Sequence, residues 1–299
     1  MNVGCLNEQP SKEASIVLSL WFSLSGLAAV TGNAVVLWLF YKNETLRTIS
    51  NRFLASLSVA DLLVGLVIDP LWIAFRCLIQ PSNVTQTTLD KFMDMLWIHT
   101  TAATTLNLCC VSVDRFIAIR FPFRYLDILT KRICRSLIVM VWFTSLLLPF
   151  PVIFVNVEKL WLFISLVTFF IPATVLAVCY IWIFKAASNQ ARRITGENVE
   201  GADERQSTSP SRTIQNYKAI KTIGLVLGVF VVSWMPCLTL SIVHEFIAKD
   251  PCIDKKLYNV VWPWIEAVAL SSSAINPWIY YFRNSDFREA LHRGIRRVR

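Results

Sequence analysis

The sequence predicts an all-α membrane protein: a bundle of seven transmembrane helices followed by a short amphipathic eighth helix. Of its 299 residues, 55% are apolar and 16% are charged, whereas an average soluble protein has about 25% charged residues. The apolar residues also gather into seven runs, and a bilayer core about 30 Å thick needs roughly 20 such residues per helical crossing. The composition therefore argues against a soluble enzyme, a disordered protein and a disulfide-stapled secreted module.

The seven apolar runs place one transmembrane domain at residues 14–282, between an N-terminal segment (1–13) and a tail (283–299). The expected spans are Ala14–Tyr41, Arg52–Cys77, Phe92–Ile119, Ser136–Phe154, Leu160–Lys185, Ile220–Phe246 and Leu257–Phe282. The connection at 186–219 is polar and has almost no large apolar residues over 196–212. It cannot bury enough surface to fold, so we expect a mobile loop there.

Lysine and arginine set the expected orientation, because they concentrate on the cytoplasmic side of membrane proteins. With the N-terminus outside, 22 of the 29 basic residues fall on inner segments. The net charge of +9 then faces the inner leaflet, and nucleic-acid binding is not expected. The sequon Asn83-Val84-Thr85 falls in an outer loop, where glycosylation is allowed, whereas Asn43-Glu44-Thr45 falls inside and is a chance match.

Charged side chains within the spans are costly in hydrocarbon and are functional candidates by default. They are Asp61, Asp69, Asp114, Arg115 and Glu266. Prolines interrupt four spans, each removing a helix hydrogen bond and favouring a bend. These prolines are Pro70, Pro172, Pro236 and Pro277. Together these features favour a bundle that switches between two packings. The plain alternative is a static bundle that the prolines merely shape.

Each span also carries a short motif at a fixed depth. The first four spans contain Gly32-Asn33, then Leu57-Ser58-Val59-Ala60-Asp61-Leu62, then Asp114-Arg115-Phe116, and then Trp142. The last three contain Pro172 with Tyr180, then Phe230-Val231-Val232-Ser233-Trp234-Met235-Pro236, and then Asn276-Pro277-Trp278-Ile279-Tyr280. In this order the motifs resemble those of rhodopsin-like (class A) G-protein-coupled receptors, with Phe116 in place of the usual tyrosine and Ser233 in place of cysteine.

The resemblance implies an activation switch that opens a cytoplasmic cleft for a heterotrimeric G protein. The implied switch residues are Asp114, Arg115, Tyr180, Phe230, Trp234, Pro236, Asn276, Pro277 and Tyr280. Arg115 would pair with Asp114 at rest and turn toward the two tyrosines on activation. Many relatives place a glutamate partner for this arginine at position 216, where this chain has Asn216. We therefore predict some ligand-independent signalling.

The resemblance also implies an allosteric sodium ion in the middle of the bundle. The oxygen donors would be Asp61, Asn33, Thr104, Ser273 and Asn276, a donor type that hard cations prefer. A protonated or water-satisfied Asp61 is the alternative. A retinal cofactor is not expected, because position 270 is leucine where the family's retinal-binding lysine would stand, and no lysine lies inside an apolar run.

The ligand is less constrained. Trp97 stands eighteen residues before Arg115, where receptors for biogenic amines carry an aspartate, although the sixth and seventh spans are amine-receptor-like. Asp90 occupies the usual cysteine position of the outer disulfide, an absence shared with melanocortin receptors, and pairing among Cys5, Cys77 and Cys252 stays open. Asp90 and Asp94 share a helix face and resemble the acids that hold calcium in melanocortin receptors, with Asp69 as a third. A solvated pair at the rim is the alternative.

Glu266 lies about 16 Å above Pro277 along its helix, inside the expected outer cavity. A carboxylate among aromatic rings suits a cation, so we predict a small cationic amine or a basic peptide as the ligand. The expected ligand contacts are Asp94, Trp97, Thr101, Cys237, Ser241, Trp262 and Glu266. A structural Glu266, bonded to a neighbouring helix, is the other reading.

Further partners follow from the cytoplasmic side. Ser285–Arg297 is typical of an amphipathic helix on anionic membrane lipid, with Phe287 and Leu291 on its apolar side. A receptor kinase, and arrestin after it, would use the third inner loop at Ser207, Thr208, Ser209, Ser211 and Thr213. No nucleophile–base pair or metal constellation indicates an enzyme. Two alternatives stay open: a transporter, which often shows internal repeats, and a receptor-like partner without signalling of its own.

Overall fold

The computed structural model describes residues 11–75, 83–155, 163–182, 185, 225, 228–243, 253, 256–283 and 285–298. These residues form α1 (Lys12–Lys42), α2 (Ile49–Ile73), α3 (Asn83–Arg120), α4 (Lys131–Phe154), α5 (Phe163–Trp182), α6 (Gly228–Val243), α7 and α8 (Ser285–Val298). The helix α7 consists of Leu257–Val261, Trp262–Leu270 and Ser272–Arg283. Helices α1 to α5 are long and apolar enough to cross a membrane. No strand occurs in the described ranges, and the predicted all-α fold is confirmed.

The helix ends differ from the spans expected from hydropathy. Helix α3 begins at Asn83, nine residues before the expected Phe92, so the sequon starts a helix and does not lie in a loop. Helix α4 begins at Lys131, five residues before the expected Ser136, and the Thr130 hydroxyl caps it by accepting the Ile133 amide at 3.3 Å. Hydropathy detects the apolar part of a helix, whereas caps set where the helix starts.

Three wide π-helical turns precede prolines, at Val64–Ile68 before Pro70, at Leu166–Phe170 before Pro172 and at Leu257–Val261 before Pro263. A proline in a helix lacks an N–H and clashes with the carbonyl one turn earlier, so the preceding turn is the natural place for a widened backbone. The bends expected at the first two prolines therefore take the form of π turns. Pro277 lies inside an α-helical segment.

Helix α1 packs closely on both α2 and α7 through glycines. A Cβ on Gly65 of α2 would lie 2.7 Å from the Gly26 carbonyl oxygen of α1, and a Cβ on Gly32 would lie 2.9 Å from the Pro277 ring. Small residues let membrane helices approach to backbone contact. The three helices therefore form a tight unit on one side of the bundle.

The predicted amphipathic eighth helix is confirmed as α8. Phe287 and Ala290 are buried, while Arg288 and Arg293 are exposed. Its Gly294 lies against α1, since a Cβ there would meet the Trp38 ring at 2.9 Å. Helix α8 therefore contacts the end of α1 closely at Gly294, and a larger residue at this position would displace the Trp38 indole.

Candidate functional site

A small cavity lies between α3, α5 and α6. It is lined by Trp97, Ile98, Thr101, Ile164, Ser165, Thr168, Phe169, Trp234, Cys237, Leu238 and Ser241. Four of the predicted ligand contacts are in this lining, at positions 97, 101, 237 and 241. The contribution of α5 was not predicted. Ile164 and Phe169 do not stand out in an apolar run, and Ser165 and Thr168 differ from that run by their hydroxyl groups.

Aromatic rings form one wall and the floor of this cavity. The Trp97 and Trp234 ring centroids are 5.4 Å apart, and the Phe230 ring lies 5.7 Å from that of Trp234. Phe169 of α5 is 6.0 Å from both Phe230 and Trp234. Tilted and offset pairs at these distances stabilise one another beyond simple burial. The expected placement of Trp234 over Phe230 is therefore part of a larger cluster that also includes α3 and α5.

Glu266 lies beside this cluster but outside the cavity lining. Its Oε1 accepts a hydrogen bond from Trp262 Nε1 at 2.8 Å, and the Trp262 ring is 6.4 Å from that of Trp97. The Glu266 side chain is buried and within electrostatic range of the cavity residue Cys237. Asp94 is half-buried on α3, three residues before Trp97. Among the described residues, those that line the cavity carry no charge, and Glu266 and Asp94 are not part of the lining.

Asp69, the expected third carboxylate beside Asp90 and Asp94, lies against helix α1. Its side chain is 2% exposed and turns toward α1, where a Cβ on Gly26 would lie 2.9 Å from Asp69 Oδ2. The missing Cβ of Gly26 leaves the room that the carboxylate fills. Within the described ranges, no group of three acids, histidines or cysteines is placed to hold a metal ion. The side chain of Asp90 lies outside the described residues.

A polar centre surrounds Asp61 in the middle of the bundle. Asn276 Nδ2 donates to Asp61 Oδ2 at 2.8 Å, and Asn33 Nδ2 donates to the Ser273 carbonyl oxygen at 3.1 Å. Asp61 Oδ1 and Asn33 Oδ1 are buried without a hydrogen-bond partner among the described residues. The hydroxyls of Thr104 and Ser273 are buried as well. This donor set is rich in oxygen atoms that still lack a partner.

At the opposite end of α3 from Trp97, the Asp114 carboxylate has three partners. Arg115 Nε lies 3.1 Å from Oδ2, the Ser50 hydroxyl donates to Oδ2 at 2.5 Å, and the Tyr125 hydroxyl donates to Oδ1 at 2.6 Å. The pairing of Arg115 with Asp114 matches the arrangement expected at rest. Ser50 and Tyr125 were not predicted, since they carry no motif and reach Asp114 only through tertiary packing.

Tyr125 begins the short helix Tyr125–Ile128, in the connection between α3 and α4. Burial, the hydrogen bond to Asp114 and the Asp114 charge together raise the pKa of Tyr125 to about 12. A raised tyrosine pKa keeps the hydroxyl protonated. The stabilisation from its hydrogen bond is therefore present below the ordinary pKa of tyrosine and is lost only as pH rises through about 12. The Tyr125–Asp114 hydrogen bond therefore persists throughout the neutral range.

The two tyrosines expected to receive Arg115 differ in this structure. Tyr280 is buried, and its hydroxyl has no hydrogen-bond partner among the described residues. Tyr180 on α5 is 40% exposed. Arg115 is held by Asp114, and the structure therefore corresponds to the arrangement predicted for the resting form.

Several predicted features lie outside the described residues. They are the disulfide candidates Cys5, Cys77 and Cys252, the loop 186–219 with its serine and threonine sites, Asn216, and the side chains of Asn83 and Arg297.

Comparison with known proteins identifies the family. The family model "7 transmembrane receptor (rhodopsin family)" matches residues 32–160 and 156–280. The histamine H2 receptor of Cavia porcellus is 30% identical over 93% of this chain and 79% of that receptor. Trace amine-associated receptor 7e of Rattus norvegicus is 27% identical over 97% of this chain and 85% of that receptor.

The D(5)-like dopamine receptor of Takifugu rubripes is 29% identical over 89% of this chain. The match spans 64% of that receptor, less than two thirds of its length. All these similarities run through the helices that carry the motifs, and the family model extends from the first span to the last. The chain belongs to the rhodopsin family of seven-transmembrane receptors, the class A G-protein-coupled receptors.

Proposed function

We propose that this receptor sits in the plasma membrane, N-terminus outside, and couples binding of a small cationic amine to nucleotide exchange on heterotrimeric G proteins. The observation that carries the amine is the arrangement around Trp97: an uncharged cavity walled by aromatic rings, with the buried Glu266 one ring away. A ring face and a carboxylate together attract an ammonium group.

The relatives support the same ligand class, because the histamine H2, dopamine, octopamine and trace amine receptors are named for amines. In this chain the acid is supplied by α7, since α3 has Trp97 at the depth where amine receptors carry an aspartate. The ammonium group would lie between Glu266 and the Trp97 and Trp262 rings. The apolar body of the ligand would then reach the α5 and α6 wall, where Thr168 and Ser241 offer hydroxyl oxygens.

Replacing Glu266 by glutamine tests the cation site. Truncating one partner of a buried charge pair typically costs about 2 kcal/mol or more, so amine potency should fall at least about 30-fold. Glutamine can still accept the Trp262 hydrogen bond, which preserves the local fold. The measurement is nucleotide exchange against histamine, dopamine and octopamine, with receptor reconstituted in lipid nanodiscs.

Two further variants calibrate this result. Asp94→Asn should change potency less than about fivefold, because Asp94 is half-buried and better screened. Glu289→Gln should change nothing, since Glu289 is an exposed residue of α8 paired with Arg293. Unchanged potency in both Glu266→Gln and Asp94→Asn would contradict the cation site. Failure of every amine to drive exchange would contradict the proposed ligand class.

We also place an allosteric sodium ion at Asp61. The support is the set of buried oxygen atoms there, since Asp61 Oδ1 and Asn33 Oδ1 lack hydrogen-bond partners among the described residues. Buried polar atoms are costly unless they are satisfied, and a hard cation is bound through oxygen atoms of this type. The ion would neutralise Asp61, with Asn276, Ser273 and Thr104 completing the site.

Tyr125→Phe should raise the basal exchange rate. It removes the donor to Asp114 without changing ring volume, and a half-exposed hydrogen bond to a charged group contributes about 1 kcal/mol. That loss shifts the resting-to-active balance about fivefold, because the resting form is the one that holds Asp114 and Arg115 together. Basal exchange in nanodiscs measures the change, and Tyr41→Phe, at an exposed position of α1, is the matched control. Equal basal rates in both variants would refute the role of Tyr125.

Other interactions belong to the same proposal. The exposed arginines of α8 would contact anionic lipid at the inner leaflet. Glycans would attach at Asn83, and a receptor kinase followed by arrestin would act on the loop 186–219.

A further inference from the structure

A continuous chain of side-chain contacts joins Glu266 of α7 to Phe230 of α6. Glu266 holds the Trp262 indole by a 2.8 Å hydrogen bond, and the Trp262 and Trp97 rings are 6.4 Å apart with a 59° tilt. The Trp97 ring then lies 5.4 Å from that of Trp234, which packs on Phe230 at 5.7 Å. Three helices contribute to this chain, and α3 supplies its middle member.

Trp97 is the ring shared by both halves of the chain. It is 9% exposed and lies between the Trp262 and Trp234 rings. Protein interiors are close-packed, and a displaced ring requires its neighbours to shift as well. The Trp262 indole donates a hydrogen bond to the Glu266 carboxylate, the group that a cation from outside would bind.

We infer that Trp97 is a positioning residue that passes a change at the Trp262–Glu266 hydrogen bond on to the Trp234 ring. The inference deepens the proposed function and rests on it for the identity of the natural trigger. An ammonium group at Glu266 competes with the indole N–H for the carboxylate. The Trp262 ring then loses its tether and shifts, and Trp97 carries that shift to Trp234.

The contact chain can be tested without any ligand, because Trp262→Phe removes the tethering N–H and leaves an aromatic ring. Receptor labelled with 5-fluorotryptophan reports each of the 11 tryptophans by fluorine NMR, and the Trp234→Phe variant assigns the Trp234 resonance. We expect Trp262→Phe to move the Trp234 resonance by more than its line width. The same substitution in a Trp97→Leu background should leave the Trp234 resonance where Trp97→Leu alone puts it.

The controls separate coupling from general disturbance. Trp264→Phe changes an exposed ring two residues away on α7, and should leave the Trp234 resonance unmoved. Trp97→Phe, which keeps an aromatic contact, should restore part of the response. Trp97→Met serves as the second background if Trp97→Leu is poorly folded. Two results overturn the inference: a Trp234 shift on Trp262→Phe that survives in the Trp97→Leu or Trp97→Met background, or no Trp234 shift on Trp262→Phe when Trp97 is intact.

Nucleotide exchange gives the functional readout. Coupling free energies between sites are typically 1–3 kcal/mol, or roughly 5- to 150-fold, so Trp262→Phe should raise basal exchange about fivefold or more. Trp97→Leu should make that rise disappear, and additive effects of the two substitutions would overturn the inference. If no amine stimulates nucleotide exchange, the proposed ligand class is wrong, but the resonance test of Trp97 remains valid.

Discussion

Replacing Arg115 by alanine is expected to abolish nucleotide exchange on the G protein, both basal and amine-driven. Arg115 is the mobile partner of a fixed carboxylate: its side chain is 25% exposed while that of Asp114 is 1% exposed. Asp114 is also bonded to Ser50 and Tyr125, which position the carboxylate that holds Arg115 at rest. The guanidinium is therefore the group that can swing toward the buried Tyr280, and alanine removes it.

The measurement is exchange in nanodiscs at matched receptor density. Arg120→Ala is the control, because Arg120 is an exposed residue of the same helix that stacks on Phe121. Arg115→Lys should restore little, since lysine lacks the planar fork of donors. Exchange at the normal rate in Arg115→Ala would show that the activation account is wrong.

Gly65→Val should lower the melting temperature of the receptor. A Cβ at position 65 would lie 2.7 Å from the Gly26 carbonyl oxygen and 2.9 Å from a Val30 methyl group. The first of these atoms is backbone, so helix α1 itself must move away. Overpacking of this kind typically costs about 1–3 kcal/mol, and here it also displaces the glycine contact beside Asp69.

Thermal unfolding of purified receptor in detergent measures the loss. Gly228→Ala is the matched control, because nothing lies within 4 Å of a Cβ at that position. It should be neutral or stabilising, since alanine in a helix is favoured over glycine by about 0.5–1 kcal/mol. A normal melting temperature for Gly65→Val would mean that α1 and α2 pack differently.

The sequence determined the helices better than their ends. Apolar run length shows where a helix crosses, but the polar turns of α3 before Phe92 have no hydropathy signal. Capping residues such as Thr130 do carry a signal for the start of a helix. Proline positions predicted bends but not their form, because a π turn depends on how the surrounding helices accept the widened backbone.

The residues of the candidate site could be predicted where a polar or charged side chain lies within an apolar run. A charge in an apolar run stands out, so Asp61, Asp114 and Glu266 could be identified without a structure. Which neighbour each charge faces could not: Asp69 turns toward α1 because Gly26 leaves room there. Phe169 and Tyr125 carry no sequence motif. Tertiary packing alone brings Phe169 to the cavity and Tyr125 to Asp114.

The close contact of Gly294 with the Trp38 ring predicts that the receptor responds to bilayer thickness. Transmembrane helices tilt when their apolar length exceeds the local hydrocarbon depth, and α8 must follow α1 because the indole and the glycine fit together. Shorter acyl chains would therefore tilt α1 and swing the amphipathic helix across the inner surface. Vesicles that differ only in lipid tail length should then support different signalling outputs.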